Sequence, residues 1–153
     1  MNKDPIHIRW GFLFLVYLSY MDIIITKSQY QKVVFNLLDV LYGPKLTHEK
    51  VADRINILSN EGDHIFTVYT VGGKGDGCKQ DMFVNFDTGN EIDKFIPKVA
   101  TRKKLFSRTV LSYVNEKTNL NIDCIEFWYE KGPSDDKRYN FSVKKNKRVV
   151  RKT

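Results

Sequence analysis

Apolar positions along the middle of the chain follow first a helical and then a strand period. Tyr30, Val33, Val34, Leu37, Leu38 and Leu41 fall on one broad face over four turns, the spacing of an amphipathic helix. Thr26 precedes this stripe and Gln29 follows it by three residues, which is the pattern of a capping box. Gly43-Pro44 closes the element, since neither residue continues a helix readily. Phe35 lies off the main stripe, so this helix is expected to pack on two sides. Thr47 to Leu58 reads as a weaker helical or mixed segment, with Val51, Ile55 and Leu58 at compatible spacing. Asn60-Glu61-Gly62-Asp63 is a turn.

Ile65–Val71 and a segment around Met82–Phe86 carry the residue types of strands. The glycine-rich loop Gly72–Gly77 joins them, so an antiparallel hairpin is expected. Asp87-Thr88-Gly89-Asn90 turns the chain, and Pro97 ends the next short segment. Thr101–Lys117 predicts a second helix with Leu105, Phe106, Val110, Tyr113 and Val114 inward and Arg102, Lys103, Lys104 and Arg108 on its exposed side. A further strand is expected over Ile122–Tyr129, with Cys124 and Trp128 on one face and Ile125, Phe127 and Tyr129 on the other. The polar turn Gly132–Asp136 would let Arg138–Val143 pair back on it. Two helices on a small, mostly antiparallel sheet of three or four strands make an α+β fold.

The sequence ahead of this domain is different. Trp10–Met21 is the most hydrophobic stretch of the chain, flanked by Arg9 and Asp22. Twelve residues span roughly 18 Å as a helix against a hydrocarbon layer of about 30 Å, which argues against a membrane span. Three readings stand side by side. Met21 could be the natural start, leaving residues 1–20 as upstream sequence. The run could be a core or interface segment. It could also be a signal or anchor, although the preceding residues are weakly basic and no small-x-small cleavage site follows. The expected organisation is an apolar extension over 1–21, a domain over 22–143 and a basic tail over 144–153.

Charge sharpens that division. The 153 residues hold 25 Lys and Arg against 18 Asp and Glu, a net of +7, with 42% hydrophobic and 28% charged residues. Neither a disordered nor a membrane composition fits these values. Residues 1–60 are nearly balanced, residues 61–100 are net acidic, and residues 101–153 carry fourteen basic groups against six acidic ones. Lys144, Lys145, Lys147, Arg148, Arg151 and Lys152 face no acid within the tail, and without those six the chain would stand at +1. Such a run binds phosphate backbones by counterion release without reading sequence, or serves as a solvated terminus. Arg102, Lys103, Lys104 and Arg108 are candidate helpers.

Catalytic chemistry is poorly represented. The Gly72–Gly77 loop invites a phosphate-cradle reading, but a P-loop needs GxxxxGK[ST] between a strand and a helix, and here another strand follows. A flexible hairpin loop is the simpler account. His7, His48, His64, Cys78 and Cys124 lack the close pairings of zinc ligands, and Asp76, Asp81, Asp87, Glu91 and Asp93 lack the alternation of a calcium loop. No metal, other cofactor or catalytic residue is therefore assigned. Asp123, Glu126 and Glu130 lie on one expected strand without a lysine motif beside them. Each cysteine reads as a buried apolar residue, and a Cys78–Cys124 disulfide is left open.

Ile24-Ile25-Thr26-Lys27-Ser28-Gln29-Tyr30 resembles the opening I-T-x-x-Q-Y of many small proteins of tailed phages, where it lies directly after the start methionine. The resemblance spans under a tenth of the chain and carries no catalytic residue. It implies a phage-type accessory protein, with the virion or host cytoplasm as its location. The expected function is thus a non-enzymatic structural or assembly protein acting through protein contacts or self-assembly, with a tail suited to polyanions. The alternative is a nonspecific nucleic-acid-binding accessory protein. A small enzyme with an unrecognised site is a third reading, and a membrane partner is not expected.

Overall fold

The computed structural model of the chain describes residues 26–70, 78–85, 91–128 and 141–145. The Trp10–Met21 run, the Gly72–Gly77 loop, Glu130 and the cations Lys147, Arg148, Arg151 and Lys152 lie outside them.

The first helix, α1 (Lys27–Tyr42), begins as its sequence prescribes. Thr26 Oγ1 accepts from the Gln29 amide at 3.1 Å, and Gln29 Oε1 accepts from the Thr26 amide at 2.9 Å. Two of the orphan donors at the helix start are thereby satisfied. Val34, Leu37, Leu38 and Tyr42 are buried, with Tyr30, Val33, Phe35 and Leu41 packed around them. Gly43 ends the helix at φ 85°, and its amide donates to the Asp39 carbonyl at 2.9 Å.

Thr47–Leu58 is not helical. It is a hairpin of β1 (Thr47–Val51) and β2 (Arg54–Leu58), turned by Ala52 and Asp53. Val51, Ile55 and Leu58 match a helical stripe, but burial follows the competing period of two: Ile55 and Ile57 are buried while Val51 is 46% exposed. The turn carries no glycine or asparagine to announce it. Ala52 itself takes φ 55°, and the Thr70 hydroxyl and amide donate to the Asp53 carbonyl, at 2.8 and 3.3 Å.

After the Ser59–Asp63 turn come β3 (His64–Tyr69), β4 (Asp81–Asn85), a short 3₁₀ helix (Glu91–Phe95), α2 (Ala100–Thr118), β5 (Cys124–Trp128) and β6 (Phe141–Lys144). The sheet has six strands rather than three or four, in the order β1-β2-β3-β4-β5-β6. The expected β3–β4 hairpin and the β5–β6 pairing are both antiparallel. β4 and β5 are parallel, which makes the sheet mixed. A parallel pair needs a long crossover, and the 3₁₀ helix with α2 supplies it.

Among the described residues, α1 and α2 cover one face of this sheet. Ile55, Ile57, Phe66, Val68, Met82, Val84, Ile125, Phe127 and Val143 share that face and are all buried. On the other face the register aligns Asn56, Thr67, Phe83, Glu126 and Ser142 in one row, and none of these is buried. Arg54, Tyr69, Asp81, Cys124 and Lys144 form the next row, in which Cys124 alone is buried. Tyr69 and Phe83 meet edge to face at 4.9 Å between ring centroids, with the Arg54 guanidinium 5.8 Å from the Tyr69 ring.

α2 buries Lys103, Phe106, Ser107, Val110, Leu111 and Val114, a stripe at i, i+3, i+4, i+7, i+8 and i+11. Lys103 was expected on the exposed side and is instead 9% exposed, because the helical period puts it one turn ahead of Phe106 and Ser107. Its four-carbon stem suits such a position. The hydroxyls on the buried side bond within the helix: Ser107 to the Lys103 carbonyl at 2.7 Å and Thr118 to the Val114 carbonyl at 2.6 Å. No polar group is stranded by placing these residues inward.

The two helices pack side by side. Phe35 meets the Tyr113 ring edge-on at 5.2 Å, which is the second packing side that its position off the α1 stripe implied. The Tyr113 hydroxyl donates to Asp39 Oδ1 at 2.8 Å and lies 3.3 Å from the Gly43 carbonyl. Lys117 Nζ stands 3.5 Å from the same carboxylate oxygen.

Candidate functional site

Positive charge is the chemistry this chain concentrates most. From Lys94 to Asn115 the sequence holds six cations and no acid. They fall on the 3₁₀ helix, the link behind it and the first half of α2. Lys104 is exposed, while Arg102 and Arg108 are half-buried. Burial raises the pKa of the Tyr30 phenol, and the nearby Arg102 charge pulls against that rise. The start of α2 therefore lies beside the start of α1. Asp39 near the end of α1 meets Tyr113 and Lys117 near the end of α2, so the helices run in the same sense. Neither helix has an acidic residue in its first turn to offset the positive end of its dipole.

The tail meets this region. Arg108 Nε donates to the Lys144 carbonyl at 3.3 Å, across 36 residues of sequence. Lys144 is an exposed residue of β6 rather than part of a free tail. Lys145 is also held to the domain: its amide donates to the Asp123 carbonyl at 2.7 Å, and its Nζ donates to Asn121 Oδ1 at 3.0 Å. Of the ten cations proposed from sequence, Arg108 and Lys144 are thus brought together, with Arg102 and Lys104 farther along the same helix. Lys103 turns inward and leaves the group.

The other candidate chemistries do not assemble among the described residues. Among the described residues no three histidine, cysteine or carboxylate side chains are grouped to hold a metal. His48 is exposed on β1, and His64 Nε2 lies 3.0 Å from the Phe66 carbonyl and 2.9 Å from Thr67 Oγ1. Asp123 Oδ2 accepts the Lys79 amide at 3.0 Å, a structural role, and Glu126 stands on the face of β5 opposite the two helices. The Asp39, Tyr113 and Lys117 group is a clamp between the helices. Burial and the bond to Asp39 raise the Tyr113 pKa, which holds the phenol as a neutral donor.

Cys78 and Cys124 form a disulfide, 46 residues apart in sequence and with Cα atoms 6.0 Å apart. Both are buried, so the apolar reading of each was right about place, and the bond left open in the sequence is present. The clamp and the disulfide were invisible locally, because each joins residues far apart in the chain. Among the described residues no helix is long and apolar enough to cross a membrane. Comparison of the chain with protein-family models, curated proteins and solved structures finds no match in any of the three.

Proposed function

We propose that this chain is a non-enzymatic accessory protein of phage type that works by contact and engages a polyanion through the α2–β6 border. The observation that carries the reading is the Arg108 to Lys144 bond, which joins the cations of the crossover helix to the root of the basic tail. Arg108 and Lys144 then form the folded part of a cationic border, with Lys104 one turn before Arg108 on the same side of α2, and Lys147, Arg148, Arg151 and Lys152 follow in sequence. Phosphate contacts of this kind give affinity without sequence preference. The opening segment, with its likeness to small phage proteins, supports the phage-type assignment. Contacts with protein partners fall to the sheet face opposite the two helices, where Val51 and Tyr69 are 46% and 37% exposed on either side of Arg54.

Fluorescence anisotropy with unrelated DNA and RNA oligonucleotides over a salt series tests this. Binding should be similar across sequences, with log K falling against log salt at a slope of roughly −3 to −5 for four to six phosphates neutralised. The double substitution Lys104→Ala and Arg108→Ala should flatten the slope by about 1 to 2. Deleting residues 146–153 should flatten it further without changing the melting temperature. Absence of salt-dependent binding at low salt would overturn the polyanion reading.

A further inference from the structure

We infer that the Cys78–Cys124 bond is a structural disulfide and that the domain reaches its native stability in an oxidising compartment, not in a reducing cytoplasm. The two sulfurs come from segments that the fold already holds side by side. The Gln80 carbonyl accepts from the amides of Asp123 and Cys124 at 3.0 and 3.2 Å, and Asp123 Oδ2 accepts from the Lys79 amide at 3.0 Å. Asp81 and Cys124 then pair at the first position of the parallel β4–β5 ladder.

The spacing is unlike that of an exchange-active pair, in which two cysteines sit close in sequence with one exposed. Here the residues are 6% and 3% exposed, and the bond closes a loop containing β4, the 3₁₀ helix and all of α2. A cross-link over so long a loop removes much of the freedom of the unfolded chain. It also ties the ends of the one parallel pairing in the sheet, which has the long crossover to close before any of its hydrogen bonds form.

Such bonds persist in secreted, periplasmic or surface proteins and are rare where glutathione and thioredoxin keep thiols reduced. The bond is made by exchange with a dithiol–disulfide oxidase. Two cysteine thiols lose two protons and two electrons to form the S–S bond, and the oxidase disulfide takes them up to become a dithiol. This inference is independent of the polyanion reading.

The full chain should be expressed in bacteria in two forms, retained in the reducing cytosol and directed to the periplasm by an added export leader. Alkylation with a mass tag before and after reduction, followed by mass spectrometry, reads the thiol state of each. The periplasmic form should show no free thiol until reduced. The cytosolic form should show two, and should melt more than about 10 °C lower. Adding a reductant should lower the melting temperature of the oxidised protein by the same amount, and leave a Cys78→Ala, Cys124→Ala variant unchanged. Should that variant fail to fold, the oxidised and reduced wild type decide the matter alone. Equal melting temperatures for the two thiol states, or free thiols in the periplasmic protein, would overturn the inference.

Discussion

Gly43 sits where three parts of the fold converge, so replacing it by alanine is a sharp test of the packing described above. The residue ends α1, its carbonyl lies 3.3 Å from the Tyr113 hydroxyl, and its Cα faces the turn between β2 and β3. Two costs add. Its backbone lies at φ 85° and ψ 165°, a region essentially reserved for glycine, where a side chain costs about 1–3 kcal/mol. A Cβ built there would also collide with the Asn60 Cβ. That atom cannot swing aside like the end of a long side chain, because the Asn60 amide is bonded to the Tyr42 carbonyl at 2.8 Å.

Overpacking of this kind costs about 1–3 kcal/mol, while the stiffer unfolded chain returns about 0.4–1 kcal/mol. The net expectation is a loss of roughly 2–5 kcal/mol, or about 5–20 °C in Tm for a chain of this size. Urea unfolding followed by far-UV circular dichroism measures it, with an unchanged m value showing that the unfolded ensemble is not the cause. Combining Gly43→Ala with Asn60→Gly removes the collision but not the backbone strain, so Gly43→Ala should cost about 1–3 kcal/mol less in the Asn60→Gly background than in the wild type. A Gly43→Ala protein within about 0.5 kcal/mol of wild type would refute both costs, and no recovery in the double variant would refute the collision.

Leu37→Ala should cost about 2–5 kcal/mol, since Leu37 is 3% exposed in the core, whereas Val40→Ala on the 45% exposed side of the same helix should cost under about 0.5 kcal/mol; equal losses in chemical denaturation would mean that the α1 stripe is misassigned. Ala52→Gly should stabilise the β1–β2 hairpin by up to about 1 kcal/mol by relieving the positive φ of an alanine, and a loss on thermal melting would contradict that turn. The raised pKa values of Tyr30 and Tyr113 favour their neutral forms in the folded protein, so their contribution to stability is complete below the ordinary phenol pKa of about 10 and is lost as pH rises above it. Absorbance titration should therefore show tyrosines that ionise only with alkaline unfolding, and Tyr113→Phe should make the alkaline loss of stability less steep; unchanged steepness would remove Tyr113 from the account.

The sequence by itself determined both helices, because the signals for a helix lie within a few residues of one another. A stripe at helical spacing, Thr26 and Gln29 for the start and Gly43-Pro44 for the stop specify α1 without help from elsewhere. Strand period and turn chemistry were likewise enough for the β3–β4 hairpin and for the α+β class. The segment from Thr47 to Leu58 escaped this kind of reading. Its apolar residues satisfy two periods at once, and only burial of Ile55 and Ile57 against the helix layer selects the strand period. Its turn places an alanine where local rules expect glycine or asparagine.

Lys103 shows the same limit from the other side: charge pointed it outward, and its place in the α2 stripe brought it in. The parallel β4–β5 pair, the bond between Cys78 and Cys124, the Asp39 clamp and the meeting of Arg108 with Lys144 all join residues far apart in the chain. Periodicity carries no information about which distant strands become neighbours. That choice is made when the apolar faces of both helices and five strands are buried in a single core, and the charged border that the proposed function uses is a consequence of it.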